Sequence, residues 1–374
     1  MHIGLMMECD YREGWTQRQA FDEALATAEA AESLGFDGIW LTERHFSPPW
    51  GSTAVSSIGS APLLLATAIA TRTRQLRVGT AVLLLPLGHP VRMAEEVATL
   101  DNLSHGRLDV GVGRSSFPRA YEGYNVPYEE SRARFREYLD VMRLAWTQER
   151  FSYAGTFYTC RDVEVIPKPY QTPHPPLHHA ATTRGTFAAI GTSGLPLLVG
   201  AASTALADLV EVIADYRAAW HKAGHPGQGE VRLRLPIYVA ESMDKAQSEP
   251  QASAMPYYER VRQSYLRSAN AFESTTRTAR AAQLAALTYA DVLQSRVVFG
   301  TPALVAERLR TLRHEVGLAG IIMEPNVGGR IPPELLRRSM RLFAEEVAPQ
   351  VREATGRGYT QRDADTGRPT GAET

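Results

Sequence analysis

The sequence predicts an α/β fold in which eight parallel strands alternate with helices and close into a (β/α)8 TIM barrel, with an inserted hairpin and a lid-like helical insertion. Three observations carry this. Eight apolar runs of strand length recur along the chain, at 1–7, 36–41, 76–85, 108–113, 177–181, 195–199, 231–240 and 320–323. Most are followed by a segment whose apolar residues repeat at helical spacing, and that alternation makes a parallel sheet. The stretch 76–113 reads strand, loop, helix, strand, which is one βαβ unit, and eight such units close a barrel. A doubly wound open sheet is the alternative. It needs a glycine-rich phosphate turn after an early strand, and GVGRSS at 111–116 lacks the third glycine of that fingerprint.

Residues 1–7 form the first strand. Residues 17–34 are alanine-rich and amphipathic and stop at Gly35, which accepts the left-handed turn that ends a helix. The second strand, 36–41, leads into a loop over 43–60 with Pro48, Pro49 and Gly51, and then a helix over 61–71. Within 76–113, Pro86 and Pro90 punctuate the loop, and Pro90 suits a first helical turn, where its missing N–H costs nothing. Met93, Val97 and Leu100 follow at helical spacing. Residues 115–127 form a long loop with Phe117, Tyr121 and Tyr124, and 129–148 a helix with an arginine-rich outer face. The segments 151–158 and 163–166 form the inserted hairpin, and the proline-rich 167–176 returns the chain. Strands 177–181 and 195–199 flank a helix over 186–192, and a helix over 205–222 precedes strand 231–240. Residues 242–294 are different: polar, alanine-rich, with few strong apolar positions. A stretch of that length inside a compact domain is functional or disordered. Thr301 caps a helix with Pro302 at its first position; the last strand is 320–323 and the last helix 333–347. One barrel domain therefore spans 1–350 with 242–294 as its insertion, and 351–374, which lacks periodicity, is a disordered tail.

Composition narrows the function. With 44% hydrophobic and 22% charged residues over 374 positions, the chain is an ordinary globular one. A net charge of −1 argues against a nucleic-acid or anionic-membrane partner, which needs a basic face. Cys9 and Cys160 make no disulfide framework and no CxxC pair, as expected of a reducing compartment. The first apolar run is too short for a signal peptide and no stretch reaches the length of a membrane span, so a cytoplasmic location is expected.

In a barrel, functional groups gather in the loops after the C-terminal ends of the strands. Glu43, Arg44 and His45 follow the second strand; they can supply a base and an anion contact, or equally form a surface ion-pair cluster. At the end of the fourth strand, Gly113 lets a planar ligand approach the backbone. Arg114 beside it can grip a phosphate in a forked geometry. The bland alternative is a strand-end glycine with an exposed arginine. The segment Ala180, Ala181, Thr182, Thr183, Arg184, Gly185, Thr186 runs from a strand end into a helix. Its small residues leave N–H groups open, its hydroxyls add donors and a helix N-terminus favours an anion, though an ordinary threonine cap fits as well. His174, His178 and His179 do not make a metal site: strand neighbours face opposite sides, and no carboxylate stands at ligand spacing. GTSG at 191–194 is not a nucleophile elbow. Trp40 and Trp50 can wall a pocket, whereas Trp146 and Trp220, mid-helix, belong to the core.

Several blocks carry a resemblance. LLPLGHPVRMAEEVATLDNLSHGRLDVGVGR at 84–114, TERHF at 42–46, FGTP at 299–302 and MRLF at 340–343 resemble the α subunit of bacterial luciferase and its flavin-dependent monooxygenase relatives over about 1–200 and 295–350. The resemblance implies reduced FMN, delivered by a separate flavin reductase, that reacts with O2 to give a C4a-(hydro)peroxyflavin. This oxygenates a small substrate, expected to be an apolar secondary metabolite. It implies His45, then Glu43, as catalytic groups. Arg44 stands where the family usually has a first, catalytic histidine, and arginine cannot act as a base; Arg44 is then a substrate or phosphate contact, and light emission is not expected. It also implies a non-proline cis peptide at Ala81–Val82 against which the flavin ring packs, and a phosphate held by Arg114 with Thr183 and Thr186. Gly113 replaces a family cysteine beside the ring. The family has a mobile lid where 242–294 lies and commonly forms dimers. Two other readings stay open: an F420-dependent hydride-transfer enzyme on the same barrel, and a non-catalytic subunit supporting a paralogous partner.

Overall fold

Strand β1 (His2–Met7) sits between β2 (Gly38–Leu41) and β8 (Gly320–Glu324), and from β2 the ring continues through β3 (Arg77–Thr80), β4 (Leu108–Gly113), β5 (Leu177–Ala181), β6 (Leu197–Gly200) and β7 (Val231–Val239) back to β8. Every pairing around the ring is parallel. The expected (β/α)8 barrel is therefore the fold. The computed structural model describes residues 1–46, 55–115, 118–182, 184–201, 205–271 and 275–353.

The flanking helices are α1 (Gln17–Ser33), α2 (Pro62–Arg72), α3 (Pro90–Leu103), α4 (Ser131–Thr147), α5 (Arg184–Ser193) and α6 (Leu209–Lys222). Helix α1 starts with a capping box, in which Thr16 and Gln19 exchange side-chain and backbone hydrogen bonds, and ends at Gly35 with φ +76°. Strand alternation sorts the core. Ile3, Leu5 and Met7 of β1, Ile39 and Leu41 of β2, and Val110 and Val112 of β4 point outward into the layer shared with the helices. Met6, Trp40, Leu198 and Ile322 point into the barrel. Trp146 and Trp220 are buried in the outer layer, as expected, and Trp40 is buried inside the barrel; Trp50 lies outside the described residues.

Several expected boundaries change. The run 76–85 is not one strand: β3 ends at Thr80, and Leu83–Leu84 pairs separately with β4 after a cis peptide at Ala81–Val82. The expected loops are not wholly irregular, because Ser56–Ser57 pairs with Asp10–Tyr11 and Pro118–Gly123 is helical; Phe117 is not among the described residues. The hairpin turns earlier than expected, pairing Phe151–Ala154 with Thr159–Val163. Thr301 occupies the cap of α10 (Pro302–Val316) without a side-chain cap bond, so Pro302 alone marks that start. The last helix, α11 (Pro333–Leu342), continues through a wide turn and a further helical segment to Glu353, so 351–353, expected in the tail, are helical; 354–374 lie outside the described residues.

The helical insertion expected over 242–294 is present. It forms three helices, α7 (Met243–Ala271), α8 (Thr275–Ala285) and α9 (Tyr289–Ser295), inserted after β7 at the C-terminal end of the barrel. Alanines and tyrosines, rather than leucines, build its core: Ala246, Ala254, Tyr257, Tyr258 and Leu284 pack with Tyr238, Phe299, Val327 and Ile331. Burying an aromatic ring contributes on the order of 2 kcal/mol, so few strong apolar positions suffice. The Ser253 hydroxyl pins α7 to the loop after β8, donating to the Val327 carbonyl at 2.6 Å and accepting from the Arg330 N–H at 2.9 Å. Among the described residues no helix is long and apolar enough to cross a membrane.

Candidate functional site

The barrel interior is layered. At its N-terminal end Asp109 is buried with the Arg77 Nε at 2.6 Å, the His178 Nε2 at 3.4 Å and the Arg232 Nη1 at 3.6 Å. Burial pushes the Asp109 carboxyl up, but Arg77 and Arg232 outweigh it and hold it well below its ordinary value. Trp40 lies across the next layer and donates to His2 Nε2 at 3.1 Å. A Cβ at Gly4 or at Gly79 would stand 2.6 Å from the indole, so the ring fits only because both positions are glycine. His178 faces inward beside Trp40, and His179 faces outward, stacked on Phe135 at 4.5 Å, as strand alternation requires.

Above that layer lies a step of small groups. Ala81, Val82 and Ala180 pack on Met6, Trp40, Leu198 and Ile322. A Cβ added to Gly113 would meet Val82 Cγ2 at 2.6 Å and the Ala180 Cβ at 3.8 Å. Four of the residues singled out in the sequence, on β4, on β5 and in the bend after β3, are thus brought together at the C-terminal end of the barrel. The Ala81–Val82 bond is cis, as the resemblance implies. Ala181, one residue on, is turned into the outer core instead.

Beside this step, Arg114 is half-buried and donates to Ser131 Oγ at 3.0 Å, while its carbonyl accepts from the Tyr121 hydroxyl. Burial draws the guanidinium below its ordinary value. Burial and the Arg114 charge together bring His179 down to about 4, so that ring is neutral at physiological pH. Thr182 is exposed and Thr186 half-buried at the start of α5; Thr183 lies outside the described residues. Arg184 turns away to Asp215 at 3.0 Å and Glu211 at 2.7 Å.

After β2, Glu43 and His45 form one unit. His45 Nε2 is 2.6 Å from Glu43 Oε1, and the other Glu43 oxygen accepts from the Leu84 N–H at 2.8 Å. The Tyr124 hydroxyl stands 3.1 Å from His45 Nδ1. A carboxylate oxygen accepts, so Nε2–H is the donor to Glu43, and Nδ1 is the ring atom that faces the Tyr124 hydroxyl. Arg44 points the other way, onto Glu8.

That contact belongs to a charged wall. Glu8 joins Arg44 to Arg234, and Arg234 reaches Glu324 through Nε at 2.9 Å and Nη2 at 2.7 Å. Burial pushes Glu8 up, but Arg234, Arg44 and Arg260 of α7 prevail and hold it at about 2. Asp10, two residues on, goes the other way: burial and the Glu8 charge raise it to about 7, against Arg260, Arg44 and Arg12. Its carboxylate accepts from Asn326 Nδ2 at 3.0 Å. Arg260 lies over the ring of buried Tyr257, 5.0 Å from its centroid, so the insertion reaches this wall. Glu8, Asp10, Arg234, Glu324 and Arg260 were not singled out in the sequence. The available signals were carboxylates at the ends of the first and last apolar strands, and the alternation of Arg232 and Arg234 inside VRLRLPIYV.

Comparison with known proteins gives this geometry a relative. Residues 1–320 match the model of the luciferase-like monooxygenases. The 4-hydroxyprotoasukamycin monooxygenase of Streptomyces nodosus subsp. asukaensis is 28% identical, with 87% of this chain and 85% of that protein aligned. Monooxygenase RslO1 from Streptomyces bottropensis has a crystal structure with a TM-score of 0.76 at 27% identity, covering 93% of this chain and 99% of that one. The oxygenating constituent of 3,6-diketocamphane monooxygenase from Pseudomonas putida, solved with FMN, shares the fold at 22% identity with a TM-score of 0.77, covering 94% and 98%. The chain spans 54% and 63% of the length of two other curated relatives that it matches, at 34% and 27% identity. With the barrel, the inserted helices and a family match over most of its length, the chain belongs to the luciferase-like monooxygenase family.

Proposed function

We propose that this chain is the oxygenase component of a two-component, FMN-dependent monooxygenase, which takes reduced FMN from a separate flavin reductase and places one atom of O2 into a small substrate. The convergence of Ala81, Val82, Gly113 and Ala180 on one apolar step carries the reading, because it offers an apolar face of small side chains on which a planar ring can pack. Reduced FMN, when bound, supplies the activation of O2 that no side chain can. The residues present fit it. Gly113 lets the Val82 side chain close up against its backbone beside Ala180, which keeps the step low, and Arg114 stands beside them as the one singled-out cation at that edge.

The rest of the work falls to this chain. Arg114 anchors the phosphate, with Thr182 before α5 and Thr186 in its first turn as partners in that role; Thr183, expected to join them, lies outside the described residues. Glu43 fixes the orientation of His45, and Tyr124 engages the remaining ring nitrogen, so His45 is placed to hold or pass a proton at Nδ1 once Tyr124 moves aside. Helices α7–α9 keep water from the reacting centre. Arg44 is a member of the charged wall, held by Glu8, rather than a phosphate ligand. That wall faces the apolar step across the same end of the barrel. A substrate with both polar groups and apolar bulk therefore suits the site better than the wholly apolar one expected from the resemblance.

The test is a titration of the protein with oxidised and reduced FMN, repeated on Arg114→Ala. Loss of a charged hydrogen bond to phosphate weakens binding by about 1.5–3 kcal/mol. Unchanged affinity overturns the placement of the phosphate. Binding of reduced F420 in preference to reduced FMN selects the hydride-transfer reading, and tight binding to a paralogue without turnover selects the supporting-subunit reading.

A further inference from the structure

Among the described residues, one cluster of buried polar atoms has no hydrogen-bond partner and no part in the reading above. Arg296 closes α9 and is only 6% exposed, and its Nε and Nη1 are buried without a hydrogen-bond partner. Tyr258 of α7 is 1% exposed, and its hydroxyl is likewise buried without one. The two groups act on each other electrostatically, and Arg280 of α8, Tyr265 of α7 and Asp208 in the turn after β6 act on Arg296 as well. Glu324 acts on Tyr258 in turn, so two guanidiniums and two carboxylates act within the cluster. A buried guanidinium with open N–H groups is unfavourable unless something accepts from them. An adjacent buried hydroxyl adds a donor that can turn to suit.

A planar fork of open N–H groups with a neighbouring O–H is the complement of an oxyanion. We propose that Arg296, Tyr258 and Arg280 form an oxyanion site beneath the inserted helices, which takes the carboxylate or phosphate of a small molecule and is separate from the Arg114 edge. Asp208 and Arg296 lie on the β6–β7 side of the ring, whereas Arg114 follows β4; the two edges approach each other through α8, where Arg277, one turn before Arg280, donates to the Tyr128 hydroxyl at 3.0 Å and acts on Arg114. The site is continuous with the charged wall: Tyr258 is next to Tyr257, and Tyr257 is within electrostatic reach of Glu324, Arg234 and Glu8. The anion it holds is therefore the substrate's rather than the cofactor's. That last assignment rests on the flavin reading; the oxyanion site itself does not.

The experiment measures Tm of the full chain against inorganic phosphate and against benzoate, with chloride at matched ionic strength, with and without saturating FMN. The variants are Arg296→Met, Tyr258→Phe, Arg280→Gln and Arg114→Ala. The wild type is expected to gain Tm with phosphate or benzoate beyond the chloride control. Tyr258→Phe and Arg280→Gln should need roughly tenfold more anion, the scale of one hydrogen bond to a charged group. Arg296→Met, relieved of an unpaired buried charge, should unfold no earlier than the wild type without anion and should show no anion response. An anion response that survives saturating FMN assigns the site to the substrate; one that FMN abolishes overturns its separateness from the cofactor phosphate. A wild type indifferent to both anions, or an Arg296→Met protein that responds like the wild type, overturns the site. If Arg296→Met fails to fold, the other two variants decide, since unchanged anion responses in both overturn it equally. Loss of FMN binding in Arg114→Ala with the anion response intact leaves both proposals standing, whereas no FMN binding by the wild type removes only the flavin reading.

Discussion

Asp109 and Asp10 are two aspartates of one barrel, at opposite ends, and they are driven in opposite directions. Asp109 sits at the N-terminal end with Arg77, His178 and Arg232 around it and is held well below the ordinary carboxylate range. Asp10 sits beyond the C-terminal end of β1, where burial and the neighbouring Glu8 outweigh three arginines and raise it to about 7. Both lose water; what separates them is the nearest charge, cationic for one and anionic for the other. In barrels the N-terminal end serves stability and the C-terminal end serves chemistry, and the two carboxyl groups follow that division. One is ionised and locked, and the other is poised where a proton can be gained or lost near neutral pH.

The sharpest way to break this contrast is Asp109→Ala, which strands Arg77, His178 and Arg232 in the barrel interior. Removing one partner of a buried charge cluster costs about 3–5 kcal/mol, read as a lower denaturant midpoint. A loss below about 1 kcal/mol would mean that the lower cluster is not structural.

Asp10→Asn tests the other end. A raised folded-state value means that the folded chain holds the proton more tightly than the unfolded one. Wild-type stability attributable to Asp10 is then greatest below the unfolded value near 4 and is lost as pH rises through about 7. A shift of that size corresponds nominally to about 4 kcal/mol, which partial solvent access reduces to about 1–3. Asp10→Asn should remove this decline while leaving the opposite acid limb of Glu8. That limb is full above the ordinary glutamate range and is lost as pH falls toward 2. Denaturation midpoints of both proteins from pH 4 to 8 decide the matter, and parallel curves refute it.

Tyr124→Phe carries the smallest effect. It removes one hydrogen bond, to His45 Nδ1, and should cost about 0.5–1.5 kcal/mol. The His45 ring resonances should move with it; a spectrum in which they stay put shows that the contact is not made in solution.

The element order of the barrel was legible because strand and helix periods differ and each of the eight units repeats the same alternation. Gly113, Ala180 and Arg114 were legible too, because a glycine, an alanine and an arginine at strand ends are unusual in apolar runs. The role of Ala81–Val82 was not readable from its residue types, which look like plain core, and came only with the family resemblance. The core of the inserted helices was missed because alanine and tyrosine scored as weak apolar positions, although tertiary packing buries them fully.

The amino-acid sequence by itself determined the closed parallel barrel and pointed to Gly113 and Ala180 of the apolar step, since these follow from local periodicity and from which residues stand at strand ends. Only the tertiary structure decided that Arg44 is held by Glu8, that Arg234 bridges Glu8 and Glu324, and that Arg296 is left with open N–H groups under α7. Charges act through space over distances that chain separation does not encode. A residue's partners, and with them its protonation and its use, are therefore fixed only when the ring closes and brings the first and last strands side by side.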